Sequence, residues 1–368
     1  AVFEAEDFPG YHATGRSVAT FSETYGPPVI RALTRASRPF MESPPEGFGE
    51  DKILTPRGIL TIARADQIGQ LEESLDSLSR EDPSIKRQSV NEIYDQVPIL
   101  RRDYVAAAMY KPRVTDIDVA KLHQGYVHGA KLRGCHIGLA HRVTALRRDG
   151  DVWLLEAGGQ TFRAGIVVNA AGAWADEVAS MAGVDPIGFM PLRRTAAKVA
   201  LPGHPDNARW PEVVDIGNEF YFKPETGSLI CSPCDETPDR PRDVQAEELD
   251  IAICMDRIQR AADVKVTHVA RSWAGLRTFA PDRVPVVGFE PSSKGFFWLC
   301  GQGGYGIQTA PAMSEIATNL IVGREGWQGP ATRDITVDVL SPERFARRHR
   351  QSAAPRGSRR RRNERLFP

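Results

Sequence analysis

Gly295-Phe296-Phe297-Trp298-Leu299-Cys300-Gly301-Gln302-Gly303-Gly304-Tyr305-Gly306 is the stretch on which the reading of the fold turns. Its unbroken apolar half reads as a strand buried on both faces. The glycines that follow open a helix, which the apolar spacing carries to about residue 322. Residues 301–306 satisfy GxGxxG between a strand and a helix, and taken alone that pattern marks a dinucleotide-binding turn. The next requirement fails. About 20 residues on, such a unit needs a second buried strand ending in an acid that holds the ribose. Here Gly323-Arg324-Glu325-Gly326-Trp327-Gln328-Gly329-Pro330 reads as loop. The cluster is therefore not the primary fingerprint. Its glycines instead let backbone amides and a helix N-terminus approach something planar or anionic.

The matching acid stands at the other end of the chain. Ala1-Val2-Phe3-Glu4 reads as a Rossmann second strand closing on Glu4, which places the first strand and its glycine loop about 25–30 residues earlier, before Ala1. The alternative is an unrelated edge strand. Inward from there, residues 27–41 have helical spacing after two prolines that suit a first turn. Strand-like runs at 58–64 and 104–110 flank a helix near 66–79. Residues 116–133 form an amphipathic helix with Asp116 or Asp118 as its N-cap. A meander at 143–146, 152–156 and 162 precedes Ile166-Val167-Val168-Asn169, a second strand expected to be buried on both faces. Residues 190–232 are β-rich, 245–261 helical, and 265–276 a strand. The pattern predicts an α/β (α+β overall) chain: a Rossmann-like domain, incomplete at its N-terminus, with an inserted antiparallel-sheet substrate domain. The expected divisions are 1–50, 112–188 and 276–330 for the first, and 51–111 and 189–275 for the second.

Composition narrows the function. Lysine plus arginine and aspartate plus glutamate balance at 47 each, so bulk charge suggests no polyanionic partner. Ten arginines against two glutamates in 341–368 hide an asymmetry. Residues 331–368 read as a basic, disordered tail; nucleic-acid binding through it is the less favoured reading. Five scattered cysteines suggest reduced thiols. Cys231-Ser-Pro-Cys234 matches CxxC but lacks a second pair at zinc spacing, so no metal is expected. No apolar run reaches the roughly 18–20 residues of a membrane span, and no signal peptide opens the chain. The expectation is a cytoplasmic protein.

Four blocks occur in order: Gly10-Tyr11-His12-Ala13-Thr14-Gly15-Arg16-Ser17, Val168-Asn169-Ala170-Ala171-Gly172-Ala173-Trp174, Trp273-Ala274-Gly275-Leu276-Arg277, and Gly301-Gln302-Gly303-Gly304-Tyr305-Gly306-Ile307-Gln308. Together they resemble the D-amino-acid oxidase superfamily of FAD-dependent oxidoreductases, in its glycine oxidase, sarcosine oxidase and D-amino-acid dehydrogenase group, and most of all the D-arginine dehydrogenases. The resemblance implies FAD as cofactor. By it, Glu4 and Ala5 lie at the adenosine ribose, and His12, Ala13, Thr14, Gly15, Arg16, Ser17, Val18 and Ala19 run beside pyrophosphate and flavin, with Thr14, Arg16 and Ser17 offering donors. Val143 contacts the adenine side, and Gly303, Gly304, Tyr305, Gly306, Ile307 and Gln308 close over the isoalloxazine. His12 reads equally as a hydrogen-bonded loop histidine.

The same resemblance assigns the substrate site. Arg194 and Arg277 fall where carboxylate-binding arginines belong, Tyr25 and Tyr221 match two phenols lining the site, and the Gly304 carbonyl accepts from the amine. A guanidinium fork suits the task because it fixes a carboxylate with two hydrogen bonds at one angle. Arg193 beside Arg194 leaves open which of the two faces inward. Thr20 stands where D-arginine dehydrogenases carry an active-site histidine, and Ile59 where they carry a glutamate for the cationic side chain. Losing that carboxylate forfeits roughly 1.5–3 kcal/mol, so neutral or apolar side chains are expected over arginine. The implied reaction is oxidative deamination of a D-amino acid: hydride passes from Cα to flavin N5, and the imine hydrolyses to a 2-oxo acid and ammonia. The electron acceptor stays open. The alternatives are a glycine- or sarcosine-type amine oxidase and a truncated, non-catalytic remnant unable to hold FAD.

Overall fold

The computed structural model describes residues 1–49, 52–324 and 337–345. Two kinds of sheet organise them. Short parallel ladders join Val2–Phe3 to Ile137–Gly138, and Val167–Asn169 to Phe296–Cys300, the latter strand also pairing antiparallel with Val286–Phe289. A separate nine-stranded, largely antiparallel sheet draws its strands from 59–111 and 190–279. These are the parallel nucleotide-type half and the inserted antiparallel half expected from the sequence.

Strand alternation gives the large sheet two unlike faces. Leu60, Ala197, Val199, Val213, Phe222 and Cys231 point to one side and are buried against Cys254, Ile258 and Ala261 of the helix Glu248–Ala261. That side is a conventional core. The registers place the alternate residues on the other side: Ile59 pairs with Lys111 and Glu212, Val214 with Tyr221, and Arg194 with Gly275, while Leu192 pairs with Arg277. This polar-rich face turns toward residues 16–25 and the glycine turn. Trp273 Nε1 donates to the Arg16 carbonyl at 3.0 Å, and Lys223 Nζ to the Ala19 carbonyl at 3.2 Å.

Several expectations are corrected. The helix expected from 116 begins at Val119, because Thr115–Ile117 is drawn into a three-stranded sheet with Thr20–Phe21 and Leu54–Pro56. Asp118 is its cap, its Oδ1 accepting from the Lys121 N–H at 2.9 Å. Asp118→Ala is expected to cost about 1 kcal/mol, read as a lower thermal midpoint. The 166–169 strand is not buried on both faces: Val168 is 41% exposed, since Val167–Asn169 pairs with one neighbour among the described residues. The last sheet strand runs Val269–Phe279, past the expected division at 276. Within the stretch expected to be disordered, residues 337–345 are packed. Leu340 and Phe345 are buried, and the Val287 N–H donates to the Leu340 carbonyl at 2.9 Å. Arg344 Nε bonds Asp282 at 2.8 Å. The remainder of the Arg-rich tail, and most of the loop expected at 323–330, lie outside the described residues.

Candidate active site

Antiparallel pairing sets Arg194 and Arg277 diagonally on one face of neighbouring strands. Arg277 is partly buried, with the Tyr25 and Tyr221 hydroxyls and Cys234 close enough to feel its charge. It also abuts the glycine turn: a Cβ on Gly304 would stand 2.8 Å from Arg277 Nη1. A side chain at 304 would push the Arg277 guanidinium aside, while the Gly304 torsion itself is ordinary. Gly303 has φ +57° and donates its N–H to the Thr278 carbonyl at 2.9 Å. Tyr25 packs edge-on against Tyr305, with ring centroids 5.1 Å apart. Burial raises the Tyr221 hydroxyl's pKa although Arg277 and Arg194 pull it down, so the phenol stays neutral and can donate. Burial also pushes Tyr305 up to about 12 and Cys234 up to about 11.

The ambiguity between the two neighbouring arginines is resolved by strand parity. Arg193 faces the helix Glu248–Ala261, where it bonds Glu247 and Asp250, the latter at 2.9 Å, with Asp239 at 3.5 Å. Arg194 faces the site. Its Nε donates to the Asp235 carbonyl at 2.7 Å and its Nη2 reaches Glu236 at 3.4 Å. Glu236 is held more closely by Arg283, at 2.8 and 3.0 Å.

The cofactor-side residues assemble along one line. Glu4 ends a parallel strand, its N–H bonded to the Gly138 carbonyl, and its own carbonyl accepts from His141, two residues before Val143. One carboxylate oxygen accepts from the Glu6 N–H at 3.1 Å, while Ala5 lies between these two acids. The Gly15 N–H closes a turn onto the Gly10 carbonyl at 2.7 Å. Ala13, Val18 and Ala19 lie along the same segment, and the Thr14 and Ser17 hydroxyls have no partner among the described residues. His12 Nε2 lies 3.0 Å from Glu6 Oε1, with its ring against Trp174. Arg16 is a correction. Its guanidinium bonds the Val244 and Ala274 carbonyls at 2.8 and 2.9 Å and also Asp243. It thus fastens the loop to the sheet with three of its five N–H donors.

The helix Gly306–Ile321 starts without a side-chain cap, so its first N–H groups, at Gly306, Ile307 and Gln308, remain available at the positive end of its dipole. Gln308 is 3% exposed; its Oε1 accepts from the Ser22 N–H at 3.2 Å while its buried Nε2 has no partner. An orphaned amide donor, an uncapped helix end and two unpartnered hydroxyls suit a planar group with carbonyl and phosphate oxygens. FAD is such a group.

Sequence reasoning missed Glu212. It is 6% exposed, and its Oε2 accepts from the Thr20 hydroxyl at 3.3 Å. Burial pushes its pKa up to about 7, with Lys223 opposing and Asp116 adding to the shift. Ile59 therefore does not make the apolar wall expected of it, because the pairing sets it between Glu212 and Lys111. The available signal was a charged residue opening the otherwise apolar run Glu212-Val213-Val214. Between 4.5 and about 7 the folded chain keeps a proton on Glu212 that the unfolded chain has lost, so stability falls as pH rises through that window. Glu212→Gln is expected to remove this decline, gaining on the wild type between about pH 5 and about pH 8 in urea unfolding midpoints. Cys231 is sealed in the core while Cys234 faces the arginines, and no group of metal-ligating side chains is assembled among the described residues. No helix among them is long and apolar enough to cross a membrane.

Comparison with known proteins places the fold in a family. Glycine oxidase of Geobacillus kaustophilus is 26% identical over 316 residues, covering 82% of this chain and 80% of that protein. Mouse mitochondrial dimethylglycine dehydrogenase is 25% identical over 249 residues, which span 62% of this chain but only 28% of that longer protein. The crystal structure of the Geobacillus glycine oxidase superposes with a TM-score of 0.75 at 21% identity, covering 91% and 92% of the two chains. The model of the FAD-dependent oxidoreductase (DAO) family matches residues 1–320, and the chain is therefore a member of that family.

Proposed function

We propose that this chain oxidatively deaminates a D-amino acid. The carboxylate is held by Arg277 and Arg194, and the product is a 2-oxo acid with ammonia. The observation that carries the reading is Arg277, a partly buried guanidinium packed against Gly304, with Tyr25 and Tyr221 near enough to feel its charge. Its fork fixes the carboxylate's angle, and thereby which hydrogen of Cα points away from the sheet. Tyr221, neutral through burial, donates to the same carboxylate. The Gly304 carbonyl accepts from the amine. FAD, when bound, accepts the hydride from Cα. Glu4, Thr14, Ser17, Gln308 and the N–H groups opening the helix Gly306–Ile321 are the groups proposed to hold it, with Val143 beside the adenine. That helix end sits where it stabilises negative charge.

A glycine- or sarcosine-type amine oxidase is the second reading, favoured by the full-length similarity to a glycine oxidase. One experiment separates them. The FAD-loaded protein is mixed with D-alanine, D-arginine, glycine and sarcosine, following loss of the flavin band near about 450 nm and peroxide release. Faster reduction by a D-amino acid supports the first reading, faster reduction by glycine or sarcosine the second, and no reduction by any of them defeats both. Peroxide also reports whether oxygen serves as electron acceptor.

A further inference from the structure

We propose that Glu212 reads the end of the substrate remote from the carboxylate and selects molecules carrying a second N–H or O–H donor there. This rests on the function proposed above. The carboxylate is buried yet under-partnered. Oε2 has one long hydrogen bond, from Thr20, and Oε1 accepts none from the described residues. An ionised carboxylate offers about four acceptor sites, and a buried one normally fills most of them. The cations near it are committed elsewhere. Lys223 lies 2.8 Å from Asp116 and also bonds the Ala19 carbonyl. Arg57 bonds Asp116 at 2.6 and 2.8 Å and the Ala208 carbonyl at 2.7 Å. Lys111, the remaining one, makes no hydrogen bond or ion pair, and burial lowers its pKa to about 8.

Position supplies the second half of the argument. Glu212 shares the sheet face of Tyr221 and both carboxylate-binding arginines, and its charge is felt at Tyr221 and Cys234, which also feel Arg194 and Arg277. In sheet order, three strand spacings separate the strand of Arg194 from that of Glu212, about 14 Å at the backbone. A substrate several bonds long, met by side chains reaching in from both ends, would bridge it. Its donor end would meet Glu212 and its stem would cross the strand that carries Tyr221.

The test uses binding to the FAD-loaded protein, measured by calorimetry with pentanoate, 5-hydroxypentanoate and 5-aminopentanoate. None of these carries an α-amine, so none turns over. At least one donor-bearing probe is expected to bind roughly 10-fold or more tightly than pentanoate, the range of a hydrogen bond to a charged group. Glu212→Leu should bring all three to one affinity. Glu212→Gln, a nearly isosteric variant that guards against misfolding, should keep a preference for the hydroxyl and lose one for the ammonium. Which probe leads in the wild type tells hydroxyl from amine. Equal affinities in the wild type, or a donor preference that survives Glu212→Leu, overturn the inference. Those results leave the carboxylate site standing if pentanoate still binds and Arg277→Lys abolishes that binding. No binding by any probe overturns both.

Discussion

Arg277→Lys is expected to lower kcat/KM by roughly 30-fold to several thousand-fold, the 2–5 kcal/mol lost when one partner of a buried charge pair is replaced. Lysine keeps the charge, but it is a point donor where a planar fork is needed. The guanidinium is positioned by Tyr25 on one side and the Gly304 backbone on the other. A lysine ammonium reaching the same place satisfies one carboxylate oxygen and leaves the substrate free to swing about it. Because Cα must then find its angle by chance, kcat should fall along with the rise in KM. Steady-state kinetics on the best substrate decide the matter, and a loss smaller than about threefold would mean the carboxylate is gripped elsewhere.

The second large effect separates two adjacent residues. Arg193→Ala should destabilise the fold by about 2–4 kcal/mol, because it strands Asp250, which is 15% exposed, without its counter-charge, while Asp239 keeps Arg242 at 2.7 and 2.9 Å. Glu247, 56% exposed, contributes little of this. A drop of several degrees in melting temperature follows. Arg194→Ala lies on the opposite face and should leave the melting temperature nearly unchanged while weakening substrate. Equal melting losses in both variants would contradict the assignment of faces.

Much of the fold was legible in the residues because its signals are local. The apolar run at 296–300 followed by glycines, the acid ending the Val2–Phe3 strand, and the helix beginning at Pro28 all express periodicity or turn chemistry within a few residues. The failures are of one kind. Asp116 reads as a possible helix cap until its strand finds two partners distant in sequence, and Val168 reads as buried until its neighbours are counted.

The order of strands and helices and the glycine turn were determined by the sequence itself, since torsional freedom and hydrophobic period travel with the residue. Only the tertiary structure decided that Arg194 rather than Arg193 faces the site, that Arg16 is a fastener, and that a buried glutamate stands beside Ile59. Those outcomes depend on strand register, which sets every side chain's face at once, and register is fixed by packing between segments up to a hundred residues or more apart in the chain.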